Sequence, residues 1–185
     1  MSETTETADT LGVRIRKGWT ELRSRRWVRW TMDIVFFGGL FLAISAWQQR
    51  DLVGSGQQIP DFQLETLEGG TAPLVDPEAD KTLVYFWAPW CGVCSAESGT
   101  VSTAQSWLGD GVAVRSVVLD YRDLDAVAQK ADGMDYPVLY GNARVREAFN
   151  IQAFPTIYVV DKDGTVRRSS MGYTTTVGLL WRAWL

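Results

Sequence analysis

The chain has 185 residues, 46% of them hydrophobic and 22% charged, which suits one globular domain with a modest extension and leaves two full domains cramped. The net charge of -4 conceals an asymmetry, because Arg14, Arg16, Lys17, Arg23, Arg25, Arg26 and Arg29 crowd the N-terminal stretch while acids dominate afterwards, so nucleic-acid binding is not expected. Histidine is absent, which removes the commonest metal ligand and the usual near-neutral general base, and the only two cysteines stand three apart, too few and too close for a multi-bridge scaffold.

Residues 1–26 read as a cytoplasmic tail, disordered over the small, polar and acidic stretch Met1 to Thr10 and basic after it. The run from Ile34 to Trp47 is uncharged but shorter than the roughly 20 residues that cross a bilayer core. Extension back to Trp27 supplies the length, with Arg29 and Asp33 at i,i+4 spacing near one end, where snorkelling is available. Trp27, Trp30 and Trp47 bracket the span. We therefore expect residues 27–48 to form a single transmembrane helix in the lipid bilayer. The basic flank keeps the N-terminus inside, so the domain after the span is exported to the periplasm or extracytoplasmic space. A cleaved signal peptide, cut near Ala43, Ser45 and Ala46, is the competing reading and exports the same domain.

Residues 49–59, polar and containing Gly54-Ser55-Gly56, predict a flexible linker, and residues 60–185 the folded domain. Phe62, Leu64 and Leu67, then Gly69-Gly70, then Pro73 and Leu74, predict an edge hairpin. Thr82 to Trp87 is a continuous β-rich apolar run, as a central strand covered on both faces requires. Cys91 to Leu108 predicts a helix and Val112 to Leu119 a second buried strand. Leu124, Val127, Ala128 and Ala131 predict one apolar helical face, with Asp123 as cap and Gly133 as stop. A brief strand at Tyr136–Tyr140, a short helix at Ala143–Phe149, a strand at Thr156–Val160 and a return strand from Val166 come next. Thr174 to Leu185 closes the chain as a helix with Val177, Leu180, Trp181 and Trp184 on its apolar face. The order βαβ then αββα implies a mixed sheet between helices.

A strand ending at Trp87 and a helix starting near Cys91 put the first sulfur at a helix N-terminus, where free backbone N–H groups stabilise a thiolate. Cys91 is thus the expected nucleophile. Cys94, one turn on, is placed to attack a mixed disulfide on Cys91 and acts as the resolving thiol. Gly92 and Val93 bring no positive charge to the sulfur, which weakens the case for a strong oxidant. An inert disulfide would gain little from so short a loop. Two soft thiolates could hold Cu(I), but no histidine exists to complete a zinc site, and no metal or cofactor is assigned.

Together, Phe86-Trp87-Ala88-Pro89-Trp90-Cys91-Gly92-Val93-Cys94 and Phe154-Pro155-Thr156 resemble the thioredoxin superfamily over Pro60 to Leu185. The hairpin, Glu97 three residues after Cys94, and the insert from Tyr136-Pro137 to Phe149 look like the membrane-tethered TlpA/ResA/DsbE branch. Cys-Gly-Val-Cys and the ending from Gly172 to Arg182 are similar to the suppressor-for-copper-sensitivity D (ScsD-like) proteins. The resemblance implies a thioredoxin-like α/β fold, a cis peptide at Pro155 against the cysteines, and a Phe154 backbone open to a substrate strand beside Thr156. It makes Glu97 a candidate proton acceptor for Cys94, with Trp90 partly exposed at the site and Trp87 packed. Two departures stand out: Tyr85 where thioredoxin carries a buried aspartate, and Gly99 where most relatives carry a proline. The expected activity is thiol–disulfide exchange, with protein disulfides as substrates for reduction and a membrane electron donor of the DsbD/CcdA type. Disulfide oxidation or isomerisation, and Cu(I) handling in copper tolerance, are the alternatives.

Overall fold

A computed structural model describes residues 27–40, 43–44 and 52–184. The chain divides into two units, Met1–Gln48 and Gln49–Leu185. In the first, helix α1 is helical at 27–40 and 43–44, and its apolar side chains Ile34, Val35, Phe36 and Phe37 are exposed. Among the described residues, no helix is long and apolar enough to cross a membrane. The transmembrane helix expected over 27–48 is thus not found there as such. At 1.5 Å per residue a helix over 27–40 extends about 21 Å, against about 30 Å of hydrocarbon. The rest of that span, 41–42 and 45–48, and the tail at 1–26 lie outside the described residues.

The second unit runs β1 (Gln63–Glu65), β2 (Thr71–Pro73), β3 (Lys81–Trp87), α2 (Gly92–Leu108), β4 (Val112–Val118), α3 (Leu124–Ala131), β5 (Val138–Tyr140), α4 (Ala143–Ala148), β6 (Thr156–Asp161), β7 (Val166–Met171) and α5 (Thr176–Trp184). The five later strands make one mixed sheet in the order β5-β4-β3-β6-β7. β3, β4 and β5 are parallel neighbours, while β6 runs antiparallel to β3 and β7. β3 is central, and its alternating side chains feed two cores. Leu83, Tyr85 and Trp87 pack with Val101 and Ala104 of α2, Val127 of α3 and Leu179 of α5. Val84 and Phe86 point the other way, into a core shared with Val145, Phe149, Leu64 and Leu74. The β1–β2 hairpin is a separate antiparallel pair, tied to the β5 edge by Leu67 N–H donating to Val138 O at 2.9 Å.

Three expectations change. The linker predicted over 49–59 is mostly a packed arm: Leu52 and Ile59 are buried in the second core. Gly56 N–H donates to Val166 O and Val166 N–H to Gln57 O, each at 2.8 Å. Apolar residues in a Gly/Ser stretch look like a tether, yet Leu52 and Ile59 pack in one core with Tyr158 and Val160 of β6 and Val166 of β7. On α3 only Val127 and Ala131 are buried, and Leu124 and Ala128 are exposed. On α5 the buried face is Leu179, Leu180 and Ala183, while Val177, Trp181 and Trp184 are exposed. Apolar residues surround α5, so periodicity alone selects no face; packing against α2 does.

Candidate active site

Sheet register brings the site together before any side chain is considered. Trp87, the last residue of β3, pairs with Val118 at the end of parallel β4, and Val118 with Tyr140 at the end of β5. The segments beyond these strand ends, 88–91, 119–123 and 141–142, therefore leave the same sheet edge. Antiparallel β6 starts there, Phe86 being paired with Thr156, which sets Phe154 and Pro155 beside the turn that enters α2. Crevices at the carboxyl ends of parallel strands are where open α/β sheets bind ligands. Gly141 permits the close packing of these turns. A Cβ there would lie 2.6 Å from Leu119 Cδ2 and 2.9 Å from Val118 O.

Cys91 is the N-cap of α2, in extended backbone, and its Sγ accepts the N–H of Cys94 at 3.2 Å. The first sulfur thus receives a donor from the helix N-terminus, the partial positive charge that favours a thiolate. Cys91 and Cys94 are joined by a disulfide, with Cα atoms 5.3 Å apart. Cys91 is 7% exposed and Cys94 2%, so the outer sulfur is the more accessible. α2 runs unbroken through Gly99. Gly92 and Val93 carry no charge, but Lys130 of α3 lines a small cavity with Cys91 and Cys94, and its Nζ donates to Ser95 Oγ at 3.2 Å.

Below the disulfide lies a polar cluster. Glu97, one turn after Cys94, is fully buried, and Thr174 N–H donates to its two carboxylate oxygens at 2.9 and 3.1 Å. Burial pushes the carboxyl up to about 7, with the Thr174 N–H and the Arg182 charge pulling back. Tyr85 donates its hydroxyl to Cys94 O at 2.8 Å, and burial raises its pKa, reinforced by Tyr136 and Glu97. A phenol held neutral cannot take up a proton as a buried aspartate would.

The Phe154–Pro155 peptide bond is cis. Trp90 is 67% exposed and Trp87 is buried, its Nε1 finding no partner among the described residues. Trp90 meets Phe154 edge to face at 5.7 Å between centroids. Thr156 departs from the substrate-facing place assigned to it: it is fully buried, and its hydroxyl donates to Ala153 O at 2.8 Å. A residue paired on both sides, with Phe86 and Met171, sits inside the sheet and braces the 153–156 turn. Three site residues escaped the sequence reading, namely Asp120, Arg146 and Lys130. No motif marks them, because they reach the site from loops or helices far along the chain. A cleft of about 800 Å³ opens beside Trp90, lined also by Pro89, Asp120, Tyr121, Arg122, Asp123 and Ala126. Among the described residues no group of three or more Cys, Asp or Glu side chains is placed to hold a metal ion.

The thioredoxin-like protein YneN of Bacillus subtilis is 30% identical over 128 residues, covering 66% of this chain and 75% of that protein. The thiol-disulfide oxidoreductase ResA of Oceanobacillus iheyensis is 31% identical over 128 residues, covering 65% and 66%. The crystal structure of a thiol:disulfide interchange protein, thioredoxin family protein, from Chlorobium tepidum shares the fold at a TM-score of 0.62. It is 22% identical and covers 71% of this chain and 97% of its own. The stretch that matches the AhpC/TSA family, residues 55–169, takes in Cys91, Cys94, Pro155 and strands β1 to β6, and this chain belongs to that family.

Proposed function

We propose that this thiol–disulfide oxidoreductase of the ResA and DsbE type reduces protein disulfides outside the cytoplasmic membrane, to which it is anchored. The observation that carries the reading is the N–H of Cys94 on Cys91 Sγ at the mouth of α2, beside Phe154 and cis Pro155. In the reduced protein the Cys91 thiolate attacks a substrate disulfide. One substrate thiolate leaves, taking up a proton, and a mixed disulfide forms. The Cys94 thiol loses its proton to the Glu97 carboxylate and attacks Cys91 Sγ. The second substrate thiol departs, and the Cys91–Cys94 disulfide observed here is the product. Two electrons have passed to the substrate, and a membrane dithiol donor of the DsbD/CcdA type restores them. A carboxyl with a pKa of about 7 is suited to that proton transfer at neutral pH. Trp90 and the Phe154 backbone receive the substrate segment.

Reduction rather than oxidation is favoured by how little positive charge is brought to Cys91 Sγ. Its helix N–H is the principal donor, and the Lys130 ammonium is exposed and therefore screened. Residues 27–48 form the single-pass anchor, with the basic segment 1–26 in the cytoplasm and the domain from 60 onward in the periplasm or extracytoplasmic space. The exposed apolar side chains of α1, its tryptophans and the basic flank support this. Cys-Gly-Val-Cys and the run from Gly172 to Arg182 support a place beside the suppressor-for-copper-sensitivity D proteins. The test is the reduction potential of the full chain in detergent, equilibrated against dithiothreitol or glutathione buffers. A value near about -270 mV is expected, and one near about -120 mV would make the protein an oxidant.

A further inference from the structure

The exposed rim of the site is built from three loops, and one side chain joins two of them. Trp90 stands next to the attacking sulfur with its Nε1 donating to Asp120 O at 3.3 Å and its ring against Phe154. Asp120 has a φ of 53°, in the left-handed region that aspartate enters more readily than most residues. Arg146, from the middle of α4, pairs through Nη1 with Asp120 Oδ1. The same guanidinium lies over the Phe154 ring, Cζ 5.8 Å from its centroid, in cation–π geometry. Trp90 is therefore flanked by two groups, the Asp120 carbonyl and the Phe154 ring, and Arg146 meets both residues.

We infer that Arg146 is a positioning residue for substrate: it braces the Trp90–Phe154–Asp120 rim on which the segment flanking a substrate's disulfide lies, and thereby sets affinity for protein disulfides. This rests on the exchange reading above. A large exposed indole beside a reactive sulfur is a contact surface for polypeptide, and contact residues bind better when ordered beforehand. The cleft of about 800 Å³ on the Asp120 side of Trp90 has room for an extended segment. The reacting sulfur is polarised from α2 and not from α4, so Arg146 acts on binding and not on the chemical step.

The test uses the full chain in detergent, with insulin as the protein disulfide and dithiothreitol as reductant. Arg146→Ala is expected to raise KM for insulin at least fivefold, equivalent to about 1 kcal/mol, with kcat and the reduction potential held. Asp120→Asn, which removes the ion pair, should move KM the same way. Arg146→Lys keeps the charge but loses the planar face over Phe154, and should fall between wild type and Arg146→Ala. An unchanged KM in Arg146→Ala, or a kcat that falls in proportion, overturns the inference alone. If Arg146→Ala does not fold, Asp120→Asn and Arg146→Lys carry the same comparison. A wild-type protein that does not turn over insulin overturns the reading of a general protein-disulfide reductase and this inference with it.

Discussion

Glu97 shows how burial turns an ordinary side chain into a proton-active one. A carboxylate enclosed by the sheet and α5 is costly to ionise, and a single backbone N–H from Thr174 offsets only part of that cost. Its pKa is raised from 4.5 to about 7, so the folded state holds a proton that the unfolded chain has released. The resulting stabilisation is fully present below about pH 4.5 and is lost as pH rises through about 7. At most it amounts to about 3 kcal/mol. Glu97→Gln, which keeps an acceptor for Thr174 N–H, should flatten that slope in urea unfolding measured across the window. A slope unchanged by the substitution would remove Glu97 as its source. Cys91, Cys94 and Pro155 can be singled out from the sequence because each sits in a local motif, and Glu97 through the resemblance those motifs carry. Asp120 and Arg146 cannot, since an ion pair 26 positions apart leaves no local pattern.

Elements were easier to foresee than their faces. Every strand and helix of the second unit was anticipated to within a few residues, because continuous β-rich runs, caps and glycine stops are local signals. Asp123 caps α3 as expected, its side chain accepting from Asp125 N–H, and Gly133 lies just beyond with a left-handed φ of 84°. Periodicity points to the wrong face of α5, because Val177, Trp181 and Trp184 are apolar and yet stay outside. The structure makes a clean contrast within that helix. Leu179→Ala should cost about 2–5 kcal/mol of stability, since it empties a fully enclosed position. Val177→Ala, on the exposed side, should stay within about 0.5 kcal/mol. Denaturant midpoints of the two variants measure this directly, and equal losses would mean that the helix packs differently.

At the scale of the whole second unit, the arm at 52–59 closes the second core. Leu52 and Ile59 are buried, Val53 N–H donates to Tyr158 Oη at 3.2 Å, and the segment hydrogen-bonds to Val166 at the start of β7 and to Gly164 in the turn before it. Ile59→Ala should therefore destabilise the protein by about 2 kcal/mol, whereas a free tether would register nothing. The denaturant midpoint should fall with the slope unchanged. An unaltered midpoint would return the segment to the role of linker.

The order of strands and helices, the cysteine pair at a helix start and the proline turn before β6 were determined by the sequence itself, because each depends on residues within one or two turns of one another. Tertiary structure alone decided which face of α5 is buried, that the Gly/Ser stretch packs, that Thr156 faces inward, and that Arg146 meets Asp120 and Phe154. Those outcomes depend on which surfaces remain uncovered once the sheet has formed, and β3 pairing with both β4 and β6 is what brings the distant loops to one edge.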